Sequence, residues 1–81
     1  MPMNRDDIRS KLRDIAREIF ENDELEVSDA LSPDDVKAWD SLGHIRLVTA
    51  TEEAFAVAFT IDEIEGLRTI GQIVALVDEK S

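Results

Sequence analysis

The chain has 81 residues, no cysteine and a formal net charge of −10 from 19 acidic and 9 basic side chains. We expect a single domain over residues 1–81 with a thin core, and the lack of cysteine excludes disulfides, a thiol nucleophile and a cysteine-based zinc site. The net charge disfavours nucleic acid and anionic membranes as partners. The sequence has no signal-like start and no apolar run of about 18 residues, so we expect a cytoplasmic protein. We also expect a monomer.

The acidity is concentrated in the middle of the chain. Residues 22–65 contain twelve acidic residues and only two bases, Lys37 and Arg46, whereas acids and bases balance in both flanking segments. A surface of this kind either confers solubility alone or attracts basic protein partners. Composition leaves both interpretations open.

Residues 4–21 are predicted to form the first helix. Its apolar residues recur at helical spacing along one face: Ile8, Leu12, Ile15 and Ile19. Asn4 is suited to cap the N-terminus, with Asp7 in the first turn. Arginines alternate with acids on the rest of the surface, which predicts a solvent-exposed side.

Residues 22–40 are predicted to form a long loop, because turn-forming residues interrupt the helical spacing. Pro33 directly after Ser32 indicates one short turn of helix. Dispersed apolar residues are expected to anchor the loop on the helices: Leu25, Val27, Leu31 and Val36. The acids of the loop lack the glycine and the final glutamate of a calcium-binding loop, so no metal site is predicted. A loop this long in a small domain is often functional.

Residues 41–56 are predicted to form the second helix, capped by Asp40 or Ser41. One side carries Leu42, Ile45, Val48, Thr49, Glu52 and Phe55, and an adjacent side carries Leu47, Thr51 and again Phe55. The apolar surface is therefore broad and is expected to be covered on more than one side, with Phe55 in the core.

The last third of the chain is predicted to contain two further helices. Residues 56–61 are expected to form an extended connector, and residues 62–66 one short helical turn closed by its final glycine. Residues 69–79 form the last helix, where Thr69 and Gln72 have capping-box spacing. Its core positions are Ile70, Ile73, Val74 and Val77. The predicted fold is all-α: a small irregular four-helix bundle, with three main helices, a short one and a long first loop.

The start of the second helix resembles a known family. The sequence WDSLGHIRLV over residues 39–48 is followed by a glutamate pair at 52–53 and then a phenylalanine. This segment is similar to the phosphopantetheine attachment region of acyl and peptidyl carrier proteins, in which Asp-Ser-Leu precedes two apolar helical turns, a glutamate pair and a phenylalanine. The resemblance extends over about residues 8–79 and is specific over 39–55.

The resemblance implies that Ser41 carries a 4′-phosphopantetheine arm, transferred from coenzyme A by a phosphopantetheinyl transferase. The chain would then be a carrier without enzymatic activity, holding an acyl group as a thioester for fatty acid or polyketide biosynthesis. Asp40 would cap the helix and help the transferase to hold its metal. Leu42, Glu52 and Glu53 would contact the transferase, the loading enzyme and the downstream biosynthetic enzymes. A phosphate on Ser41 would also be favoured by the helix dipole.

Three residues depart from the pattern of general fatty acid carriers. Gly43 and Arg46 occupy two positions at which those carriers have acidic residues. Thr51 places a hydroxyl where the family usually has an aliphatic residue towards the acyl pocket. Arg46 reverses the charge on a face that partners contact. These departures favour a dedicated carrier in a specialised pathway. The alternatives are an aminoacyl, peptidyl-type carrier and an unmodified acidic helical adaptor.

Two aromatic residues beside Ser41 allow more than one interpretation. His44 could reach the Ser41 hydroxyl, but no third group positions it as a base, which disfavours a hydrolase. We predict a surface histidine, with a contact to the phosphate or the transferase as the alternative. Trp39 is predicted either to anchor the loop on the core or to be an exposed partner contact.

Overall fold

The computed structural model describes residues 4–80 of the chain. Within this range lie four helices and no strand: α1 (Arg5–Ile19), α2 (Ser41–Phe55), α3 (Ile61–Gly66) and α4 (Ile70–Lys80). The predicted all-α bundle, with three main helices, a short one and a long first loop, is confirmed. No helix in the described range is long and apolar enough to cross a bilayer.

Helix α1 begins at the predicted cap. The Asn4 side-chain oxygen accepts a hydrogen bond from the Asp7 amide at 2.8 Å. The buried face consists of Ile8, Leu12 and Ala16, with Ile15 and Ile19 packed beside it. The helix ends two residues earlier than predicted, because Glu21 adopts a left-handed backbone with φ 54° and the Asn22 amide returns to the Arg17 carbonyl at 2.9 Å.

Helix α4 follows its prediction closely. Thr69 and Gln72 form a reciprocal cap, in which each side chain accepts a hydrogen bond from the other residue's amide at 3.2 Å. All four predicted core residues are buried: Ile70, Ile73, Val74 and Val77. They join a single core cluster with side chains from α1, α2 and the first loop, and α1 packs against both α2 and α4.

The buried face of α2 differs from the prediction. Leu47, Val48 and Thr51 are buried, but Leu42 is 68% exposed and Ile45 is 52% exposed. The predicted face that combined Leu42 and Ile45 with Val48 was therefore wrong. The apolar residues of α2 form more than one stripe, and the bundle covers only the stripe that faces α1 and the core.

Phe55 was also placed too deep by the prediction. It lies at the edge of the core cluster and is only partly buried. The ammonium group of Lys11 lies 5.4 Å from the centre of its ring and donates a hydrogen bond to the Ala54 carbonyl at 3.2 Å. Phe55 thus closes the end of the α1–α2 contact, where it stays accessible to a cation.

The loop between α1 and α2 is anchored as predicted, since Leu31 and Val36 are buried and Leu25 and Val27 pack against the core. At Ser32 the chain forms a hydrogen-bonded turn rather than the predicted turn of helix. The Asp35 amide donates to the Ser32 carbonyl at 2.9 Å, and the Asp35 carboxylate accepts from the Ser32 amide at 3.2 Å. This side-chain bond offers the backbone an alternative to a helix.

Backbone hydrogen bonds join this loop to the start of α4. The Ile70 amide donates to the Leu31 carbonyl at 3.1 Å, and the Gly71 amide donates to the Asp29 carbonyl at 2.9 Å. A Cβ at Gly71 would lie only 3.0 Å from the Asp29 side chain, so glycine permits this close approach. Arg9 of α1 binds both carboxylate oxygens of Asp29, at 2.9 and 3.0 Å, and this pairing lowers the pKa of that carboxyl.

The extended connector was predicted over residues 56–61 and is found over residues 57–60, because Ala56 has a left-handed backbone with φ 53° and α3 begins at Ile61. It is held by a carboxylate of α2. Glu52 accepts a hydrogen bond from the Phe59 amide at 2.9 Å. Helix α3 then begins with a capping box between Thr60 and Glu63. Gly66 ends α3 without a left-handed backbone, so it does not close the helix in the predicted way.

Candidate functional site at the start of helix α2

Ser41 is the first residue of α2, and it is exposed. The preceding Asp40 is the cap, because its carboxylate accepts a hydrogen bond from the Gly43 amide at 2.8 Å. The first amides of a helix point out of its end and have no partner within the helix. Asp40 satisfies the amide of Gly43. Because Ser41 is the first residue of the helix, its hydroxyl lies at the positive end of the helix dipole.

Gly43 allows the loop to lie against the first turn of α2. A Cβ at this position would overlap the carbonyl oxygen of Ala38 and would lie 3.3 Å from the Asp40 carboxylate. Any side chain here would push the loop backbone away from the helix. This contact is a physical reason for the glycine at this position, where the pattern of general fatty acid carriers has an acidic residue.

Trp39 and His44 join the loop to α2 and α3. The Trp39 indole nitrogen lies 2.9 Å from His44 Nδ1, and His44 Nε2 lies 2.8 Å from the Ile64 carbonyl oxygen. An indole nitrogen can only donate and a carbonyl oxygen can only accept. His44 therefore accepts at Nδ1 and donates at Nε2, which fixes a neutral ring in one tautomer. The two ring planes are 17° apart, and their centroids are 6.1 Å apart.

The structure decides between the interpretations of these two residues. Trp39 is 2% exposed and its ring lies 5.6 Å from that of Phe20, so it is the predicted loop anchor. The prediction of a surface histidine was wrong, because His44 is half-buried and both of its nitrogens have partners. His44 is thus not available as a base for the Ser41 hydroxyl.

We expect His44→Ala to loosen the contact between α2 and α3. The substitution leaves the buried indole N–H and the Ile64 carbonyl without their partner, which should lower the free energy of unfolding by about 1–3 kcal/mol. Trp39 is the sole tryptophan of the chain, so its emission reports on this site. The measurements are a red shift of that emission and faster amide exchange in α3. Arg13→Ala, at an exposed position of α1, is the control, and identical behaviour of the two variants would contradict the assignment.

Ser41, Trp39 and His44 line an open cleft between the loop, the start of α2 and the connection from α3 to α4. The connection contributes Leu67 and Arg68 to this cleft. Sequence reasoning missed Arg68. The available signal was a base placed directly before the cap of the last helix and just outside the acidic segment.

The predicted partner-binding residues fall into two groups. Leu42, Arg46 and Glu53 are exposed, as partner contact requires. Glu52 is half-buried and one of its carboxylate oxygens is engaged by the connector, so its main role in the structure is internal. Ile61, at the start of α3, is 74% exposed and adds a further apolar side chain to the surface.

Helix α3 runs back along α2. Its preceding connector contacts Glu52 near the end of α2, whereas its carbonyl at Ile64 contacts His44 near the start of α2. Ile61 and Ile45 are exposed large apolar residues of α3 and α2, respectively. The surface of α2 and α3 outside the core is therefore apolar in part, with acids around it.

Thr51 lies inside the bundle with no exposed surface. Its hydroxyl donates a hydrogen bond to the Leu47 carbonyl at 2.7 Å. The hydroxyl is thus satisfied within α2. Because of this hydrogen bond, Thr51 does not offer a free hydroxyl to the interior of the bundle.

Comparisons with known proteins show what this chain is similar to. The family model described as phosphopantetheine attachment site matches residues 10–77. An acyl carrier protein of Caulobacter vibrioides is 33% identical over 75 residues, which cover 93% of this chain and 96% of that protein. An acyl carrier protein of Petrotoga mobilis is 35% identical over 79 residues, or 96% of this chain and 92% of the relative.

A solved structure shows the same fold. The solution NMR structure of a holo acyl carrier protein from Geobacter metallireducens superposes with a TM-score of 0.83 at 32% sequence identity. The similarity covers 90% of this chain and 84% of that one.

Proposed function

This chain belongs to the acyl carrier proteins, whose members hold a covalently attached 4′-phosphopantetheine, and we propose that Ser41 is its attachment residue within one carrier domain, residues 1–81. As a family member the chain is a carrier and not an enzyme. The observation that supports Ser41 is its exposed hydroxyl on the first residue of α2, at the positive end of the helix and beside an open cleft.

The attachment step needs little from the carrier itself. The Ser41 oxygen forms a bond to the phosphorus that bears pantetheine, the anhydride bond of coenzyme A breaks, adenosine bisphosphate leaves and the hydroxyl proton is released. His44 has both nitrogens engaged, so it is not the base, and we expect the transferase to supply one. Asp40 holds the helix start in place for that enzyme. When bound, the arm supplies the thiol that this cysteine-free chain lacks and carries the cargo as a thioester.

Mass spectrometry tests the attachment directly. The purified protein is incubated with coenzyme A and a phosphopantetheinyl transferase of broad specificity, and its intact mass is measured. We expect the addition of one phosphopantetheine, located on the peptide that contains Ser41. A chain that stays unmodified under conditions where a known carrier is converted would instead support an acidic adaptor.

We propose further that this carrier serves a specialised pathway. Gly43 and Arg46 occupy the two positions at which the pattern of general fatty acid carriers has acidic residues. Arg46 is exposed, and among residues 4–80 no carboxylate lies within ion-pairing distance of it. The Asp40 carboxylate accepts a hydrogen bond from the Gly43 amide. We also propose that the carrier acts as a cytoplasmic monomer, where coenzyme A and separate partner enzymes are at hand.

Arg46→Glu is expected to change partner choice. A basic side chain on this face repels the basic surfaces of enzymes that bind an acidic residue at this position of their carriers. The variant should be loaded faster by a general fatty acid transacylase and more slowly by its own partner. For an exposed contact the shift should be on the order of 1 kcal/mol, about fivefold in rate, and should fade at high salt. Loading rates at low and high salt are the measurement.

Arg13→Glu is the matched control for this experiment. It makes the same change in net charge on the exposed surface of α1, where the only ion-pair partner of Arg13 among the described residues is Asp14. Equal acceleration of both variants would attribute the effect to overall charge. Equal rates for Arg46→Glu and the unsubstituted protein at low salt would contradict a role for Arg46.

A further inference from the structure

The backbone of Arg68 is held by a hydrogen bond, whereas its side chain is exposed. The preceding Leu67 is buried, and the Arg68 amide donates a hydrogen bond to the Gln72 side chain at 2.6 Å. The guanidinium itself is exposed and has no carboxylate within ion-pairing distance among residues 4–80. An arginine held in this way is free to bind an anion that arrives from outside the chain.

The cleft that Arg68 lines is the one beside Ser41. Its other ionisable groups do not bind anions. Asp40 contributes a carboxylate, which is already engaged by the Gly43 amide, and His44 is neutral with both nitrogens occupied. Within the described range, Arg68 is therefore the one cation that lines this cleft.

We propose that Arg68 binds the phosphate of the phosphopantetheine arm and so sets the direction in which the arm leaves the protein. This inference rests on the proposed attachment to Ser41. The phosphate there is a diester with one negative charge, close to the Asp40 carboxylate and on a chain that already carries −10. A planar guanidinium can donate two parallel hydrogen bonds to such a phosphate. Arg68 offsets the repulsion and draws the arm towards the α3–α4 connection.

Nuclear magnetic resonance of the modified protein tests this contact. Isotope-labelled protein is measured before and after conversion with coenzyme A and transferase, and conversion is verified by intact mass. We expect the Arg68 Nε–Hε resonance to shift on conversion and to return towards its original position at about 1 M salt, where the Debye length is about 3 Å. The phosphorus resonance of the arm should move in Arg68→Ala.

Two further variants make the result specific. Arg13→Ala removes an exposed arginine on α1 and should leave the phosphorus resonance unchanged. Arg68→Lys keeps the charge but loses the planar pair of donors, so it should restore the salt dependence of the phosphorus resonance only in part. If Arg68→Ala does not fold, the resonances of the unsubstituted protein and of Arg68→Lys decide.

The outcomes separate this inference from the proposed function. No added mass overturns the attachment itself. Full conversion with an unchanged Arg68 resonance, and with the same phosphorus resonance in Arg68→Ala as in the unsubstituted protein, overturns the role of Arg68 and leaves the attachment standing.

Discussion

Ser41→Ala is expected to abolish the addition of phosphopantetheine completely. The substitution removes the only atom to which the phosphate can be joined at this position. The helix should persist, since its cap is Asp40 and its first core residues lie further along α2. An exposed substitution of this kind changes the free energy of unfolding by no more than about 0.5 kcal/mol. Intact mass after transferase treatment and far-ultraviolet circular dichroism measure the two expectations.

Ser10→Ala is the control for this result. Ser10 is also an exposed serine on a helix, but it lies on α1 and away from the cleft. It should be modified at the rate of the unsubstituted protein. Addition of the same mass to Ser41→Ala would show that another hydroxyl is the acceptor and would refute the assignment.

The second large effect is expected in the core, from Leu47→Ala. Leu47 has no exposed surface, and replacement of a buried leucine by alanine costs about 2–5 kcal/mol. A domain of this length has a total stability of about 3–5 kcal/mol. The variant should therefore be largely unfolded at room temperature. Denaturant titration followed by circular dichroism gives the free energy directly.

Leu42→Ala makes the same chemical change on the same helix, five residues earlier. Leu42 is 68% exposed, so the free energy of unfolding should change by no more than about 0.5 kcal/mol. Because the side chain is in the proposed partner surface, its loss should instead slow loading by partner enzymes. Equal denaturation midpoints for the two variants would show that the core face of α2 has been misassigned. Phe55→Ala should fall between them, since Phe55 is only partly buried.

Local rules were sufficient for the parts of the fold that depend on neighbouring residues. The Asn4 cap, the Thr69–Gln72 cap and the buried face of α4 are all determined within one or two helical turns. The position of Ser41 at the start of α2 follows from the same kind of local signal. The resemblance of residues 39–55 to the carrier family, rather than this local signal, identified Ser41 as the candidate attachment residue.

Tertiary contacts were beyond such rules. Which stripe of α2 is buried depends on where α1 and α4 lie, so the exposure of Leu42 and Ile45 could not be derived from periodicity. The contact of Gly43 with the Ala38 carbonyl also depends on the path of the loop. Arg68 becomes relevant only when the α3–α4 connection folds back beside α2.

One missed contact did leave a trace in the sequence. Trp39 precedes the cap residue Asp40, and His44 is the fourth residue of the helix. These are the two positions that commonly make a hydrophobic contact across a helix start. Here the contact is a hydrogen bond between two aromatic rings, so a search for apolar pairs alone does not detect it.

The backbone hydrogen bonds from Ile70 and Gly71 to the first loop also bear on the order of folding. They join segments that lie about forty residues apart, and the entropy of closing the chain between them must be lost before they can form. Helix α1 is built from local contacts and can form early, whereas the bonds between the first turn of α4 and the loop form only when the loop docks. Long-range contacts of this kind slow folding. We therefore expect loop docking, rather than formation of any single helix, to limit the folding rate of the chain.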